Sequence, residues 1–117
     1  MLFRSIHGLS NGPFDRPWGK TRRLQEALAD WLGAGGRGGD QALLAVLGER
    51  AAIADPAIPD APEAEFSSVM IRHPLYGTRC STVVLIDAEG QGTITERRFD
   101  AEGRATGETR LAFAWPA

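Results

Sequence analysis

The stretch YGTRCSTVVLID, residues 76–87, places a guanidinium and the chain's only thiol at the start of an apolar run. Arg79 offers a fixed positive fork suited to a carboxylate or carbonyl. Cys80 offers a nucleophile if a base or cation nearby stabilises its thiolate. His73 lies seven residues before Cys80, across a turn containing Pro74, and His7 is the only other histidine. A Cys80–His73 pair is one reading. Cys80 packed as a small hydrophobe, with Arg79 as a solvated flank, is the more economical one. A second candidate is GLSNGP, residues 8–13. Asn11, at the end of a strand and before a Gly-Pro loop, can aim its amide into a cleft and donate to an oxyanion. The competing use is an Asx-type turn that closes the loop on itself. No HExxH, P-loop or GxGxxG motif occurs, and GAGGRGG, residues 33–39, follows a helix instead of a strand. One cysteine and two histidines in this spacing give no metal set, and no cofactor is expected.

The elements that must position these residues follow from periodicity. NGPFDRPWGK, residues 11–20, is a loop, because Pro13 and Pro17 each remove an amide donor. Leu24, Leu28, Trp31 and Leu32 then share a helical face, with Thr21 expected as N-cap and Gly33 onward as the stop. Asp40 is expected to cap a second short helix with Leu43, Leu44 and Leu47 inward. Residues 54–65, with three prolines and four acids, read as an extended surface loop. Strands are expected at residues 66–72, 81–87, 93–99 and 109–115, joined by Gly-rich turns, with no internal repeat. The result is an α+β chain, two helices followed by an antiparallel meander. STVVLID, residues 81–87, reads as a central strand buried on both faces. The helices can cover one face. The other needs a partner or further chain.

Composition narrows the classes. A chain of 117 residues, 43% hydrophobic and 24% charged, fits one domain with a modest core. A net charge of −2 gives no basic field for nucleic acid. No apolar run approaches the roughly 18 residues of a membrane span, and no signal-like segment opens the chain. A cytoplasmic protein is expected. Leu2 to Ser5 match a translated sequencing adapter, so a non-native start is expected at Met1 to Ser5, with residues 6–117 forming the domain portion.

HGLSNGPFDRPWGKTRRL, YGTRCSTVVLID and ERRFDAEGRATGE together resemble the C-terminal half of the NRDE family, which includes the transport and Golgi organisation protein 2 group. The likeness runs from Ile6 to Phe113, with Gly19 standing where the family usually has Pro. That departure is expected to loosen the loop. The resemblance implies an Ntn-hydrolase-like αββα sandwich, of which this chain would be a partial unit, and a missing N-terminal half as its partner. It implies an oxyanion role for Asn11 and a place for Arg79 beside a nucleophilic Cys in that missing half, with Cys80 a bystander. It further implies a small-molecule ligand: haem, an acyl-CoA or lipid, or a linear amide if the intact protein is an Ntn-type amidohydrolase. The chain alone is expected to be inactive.

Overall fold

The structure is a computed structural model and describes residues 5–116. The expected non-native start therefore falls outside the described residues, except for Ser5. Helix α1 spans Gly19–Gly33 and helix α2 spans Gly39–Leu47. Trp18, not Thr21, is the N-cap of α1, and Thr21 is buried within the helix. The capping acid comes from a distant loop. Asp55 accepts the Gly19 N–H at 2.7 Å through one oxygen and an Arg22 N–H at 3.2 Å through the other. A carboxylate there also meets the positive end of the helix dipole. Gly19 is thus buried and tied, contrary to the expectation of a looser loop. A Pro at this position would have no N–H to give Asp55.

Gly35 and Gly36 adopt φ of +73° after α1, and Gly38 adopts +81° before α2, a conformation that costs side-chain-bearing residues. Asp40 does not cap α2 but stands in its first turn. Its carboxylate accepts from the Thr95 hydroxyl at 2.7 Å, and Thr95 is fully buried. This bond pins α2 to the middle of the sheet.

The sheet has three strands, β1 (Cys80–Ile86), β2 (Gln91–Phe99) and β3 (Ala105–Ala114), antiparallel in the order β1-β2-β3. The expected strand at residues 66–72 is absent. Ala64–Phe66 form a short 3-10 turn and the chain continues as loop. Side-chain hydroxyls explain this. Ser67 donates to the Ala64 carbonyl and accepts from the Ile53 N–H, and such local bonds compete with a sheet ladder. Met70 is buried all the same, its N–H donating to the Glu49 carbonyl at 2.9 Å.

The two hairpin turns are copies of one another, although the sequence reads as lacking a repeat. Asp-Ala-Glu-Gly occurs at residues 87–90 and again at 100–103. In each, the Asp Oδ1 accepts N–H groups two and four residues on, all at 2.9 Å. In each, the Gly takes φ near +80°, namely 80° at Gly90 and 79° at Gly103. Four residues are too short a unit to register as a repeat, yet they close both hairpins in the same way.

β1 alternates instead of being buried on both faces. Ser81 and Val83 turn to the helices, while Val84 and Ile86 are 52% and 48% exposed. β1 is an edge strand, and the sheet face opposite the helices is open. On that face Val84 pairs with Ile94 and Ile94 with Leu111, forming an apolar row. The core lies on the other side, around Ala27, Leu44, Met70 and Val83.

Candidate functional site

Residues 5–10 have no regular structure, so Asn11 does not end a strand. The segment instead lies along α1. Gly8 is seated on the Thr21 methyl, where a Cβ would collide. The turn at Asn11 is closed by its neighbour, since the Gly12 N–H donates to Ser10 Oγ at 3.0 Å. That leaves the exposed Asn11 amide outside the turn's own bonding, and the Asx-turn alternative does not apply. Gly12 passes over the Trp18 indole so closely that a Cβ would lie 2.5 Å from Nε1. That Nε1 is buried without a hydrogen-bond partner among the described residues.

Asn11 lines a cleft of about 280 Å³ between this loop and the start of α1. Leu24 and Val69 are its half-buried apolar lining, Leu9 is largely exposed, Ser10, Asn11 and Thr21 add polar groups, and Trp18 and Lys20 lie at the helix end. Lys20 is half-buried. Its Nζ donates to the Phe66 carbonyl at 2.8 Å and stands 5.6 Å from the Trp18 ring centre, within cation–π reach. Burial holds the Lys20 ammonium below its ordinary pKa.

Arg79 is exposed and does not line this cleft. Its guanidinium turns back to donate to the Pro74 carbonyl at 2.9 Å. His73 builds the same turn: its Nδ1 accepts the N–H groups of Leu75 and Tyr76 at 3.1 and 3.0 Å. Its Nδ1 is thus spent on the turn, and among the described residues neither ring nitrogen is hydrogen-bonded to Cys80, so the structure does not bring the two together as a pair. Cys80 is itself exposed, a correction to the packed-strand reading. It pairs in register with Arg98 and so falls on the sheet's open face. Phe66 connects the two regions. Its carbonyl holds Lys20, and its ring lies 5.5 Å from both His73 and Tyr76.

Lys20 lines the cleft but is not among the candidates read from the sequence. The signal was its isolation, as the only lysine among twelve arginines, in the first turn of a helix where a cation is disfavoured. Among the described residues no group of three or more His, Cys, Asp or Glu could hold a metal ion. None of the described helices is long and apolar enough to cross a membrane.

Two helices backed onto a three-stranded antiparallel meander, with an N-terminal cleft, define an α+β chain. The family model for Transport and Golgi organisation 2 matches residues 1–101, and the chain belongs to that family, the NRDE family of the sequence reading. The human Transport and Golgi organization protein 2 homolog is 33% identical over 129 residues, covering 94% of this chain and 44% of the relative. The bovine homolog is 38% identical over 112 residues, covering 83% of this chain and 40% of the relative. The chain thus spans less than half the length of these curated relatives. No solved structure matches.

Proposed function

We propose that this chain contributes a helix-backed sheet layer and a ligand cleft to an Ntn-hydrolase-like αββα sandwich, and that the cleft handles the carbonyl or carboxylate end of a small molecule such as haem or an acyl-CoA. The observation that carries this reading is the Asn11 cleft. An uncharged amide donor lines it together with the apolar side chains of Leu24 and Val69. That combination suits an amphipathic ligand with one polar end. The open apolar row Val84–Ile94–Leu111 supports the layered domain, because a second sheet packs on such a face. A cytoplasmic setting belongs to the same reading and would keep the exposed Cys80 reduced. Arg79 enters the site only if the turn at residues 73–76 releases its guanidinium from the Pro74 carbonyl.

The second reading is an Ntn-type amidohydrolase acting on a linear amide. Asn11 would donate to the oxyanion, and the nucleophilic Cys would lie in the part of the domain beyond this chain. What favours it is that the Asn11 amide is left free by the Ser10 turn bond. Titrating the chain and its Asn11→Ala variant with haem and with an acyl-CoA tests the main reading. Binding weakened by Asn11→Ala, with the melt unchanged, is the expected result. Failure of either ligand to bind overturns that ligand class. Amide turnover by a longer relative, lost on removal of its N-terminal Cys, would put the second reading first.

A further inference from the structure

The first two turns of α1 carry three cations, and two of them are matched. Arg22 pairs with Asp55 at 3.2 Å and Arg23 with Glu49 at 2.7 Å. Lys20 has no carboxylate within ion-pair distance among the described residues; its one bond is to the neutral Phe66 carbonyl. An ammonium has three N–H donors, so this bond leaves two unspent. Lys20 is half-buried and has no counter-charge of its own, because the carboxylate at this helix end, Asp55, is spent on the Gly19 N–H and on Arg22, and Trp18 offers only a cation–π contact. A half-buried ammonium so placed can draw its counter-charge from a ligand. The cleft that Lys20 lines is where that ligand would sit.

We propose that Lys20 is the anion anchor of the Asn11 cleft and that the anchored group is the carboxylate of a short-chain aliphatic acid. The inference rests on the reading above that the cleft binds a ligand, and it moves the anchoring charge from Arg79 to Lys20. One carboxylate oxygen takes the spare Lys20 N–H groups and the other takes the Asn11 amide. The alkyl chain lies against Leu9, Leu24 and Val69. The ring of Trp18 flanks the ammonium and holds it in place. Leu24 and Val69 give an alkyl chain an apolar contact that a free inorganic anion would not use. The depressed Lys20 pKa agrees with a partly desolvated ammonium that has no counter-charge.

Isothermal titration of the 117-residue chain with sodium hexanoate, and separately with inorganic phosphate, tests this. Hexanoate should bind the wild type, Lys20→Met and Lys20→Gln should each weaken it by about tenfold or more, and Lys20→Arg should restore most of the loss. The thermal melt of each variant checks that it folds, and two neutralising variants guard against one that does not. Hexanoate binding that survives both neutral variants but falls in Asn11→Ala overturns the anchor and leaves the cleft reading standing. Lys20-dependent binding of phosphate without hexanoate overturns the carboxylate class. No hexanoate binding by the wild type overturns the anchor outright, while haem and acyl-CoA titrations judge the cleft separately.

Discussion

Gly12 shows how closely the candidate site is fitted. A Cβ at this position would come 2.5 Å from Trp18 Nε1 and 2.6 Å from the adjoining ring carbon. Gly12→Ala must therefore lift the loop from the indole and carry Asn11 with it. Such overpacking costs about 1–3 kcal/mol. The expected outcome is a lower melting temperature together with weaker ligand binding, read by calorimetry and titration of one variant. Cys80 is a contrast, since it is exposed and Cys80→Ser should leave the fold within about 0.5 kcal/mol. Asn11 was legible as a candidate because an Asn before Gly-Pro is conspicuous in a loop. Lys20 was not, because its meaning depends on facing Phe66 and Trp18, a tertiary fact. Arg79 was legible as a charge at a strand's start, but its bond to Pro74 depends on the conformation of a turn.

The elements are held by polar bonds that the hydrophobic pattern does not reveal. The Thr95–Asp40 bond is the clearest, with the Asp40 side chain only 8% exposed. Thr95→Val keeps the shape and removes the donor, leaving a buried carboxylate short of a partner. The variant should lose about 1–3 kcal/mol in denaturant unfolding, more than Thr106→Val on the exposed start of β3. The second hairpin turn carries a pH dependence. Asp100 is held below its ordinary pKa of 3.8, first by the Arg104 N–H, then by the Arg104 guanidinium and the Glu102 N–H. A depressed folded-state pKa adds stability that is present above pH 3.8 and lost as pH falls through the folded value. A carboxyl titration by NMR should place the Asp100 midpoint below 3.8 in the wild type and higher in Arg104→Ala. The helices and the meander could be read from periods of 3.6 and 2. Residues 66–72 misled because Ser67 and Ser68 spend their hydroxyls on the local backbone, and alternation alone does not register that.

At the scale of the whole molecule, the sheet has one face in a core and one in solvent. The excess of apolar residues in STVVLID showed that more covering was needed, but not that β1 would lie at an edge. Leu111 on β3 and Trp115 just beyond its end, 60% and 61% exposed, add to the exposed apolar surface. The chain by itself should bind an environment-sensitive hydrophobic dye strongly and associate as its concentration rises. A monodisperse species at high concentration, dark to the dye, would contradict this. The paired hairpin turns carry a further consequence, in time instead of energy. Gly90 and Gly103 follow the same Ala-Glu dipeptide, so in an unfolded chain their amide protons would exchange with water at matching intrinsic rates. In the fold both carbonyls are engaged, that of Gly90 by the Trp115 N–H at 2.7 Å and that of Gly103 by Arg50 Nη2 at 2.6 Å, but Gly103 is buried and Gly90 only half-buried. Any difference in their deuterium uptake then reads the tertiary setting with the local chemistry cancelled, and the Gly103 amide should be the slower of the two.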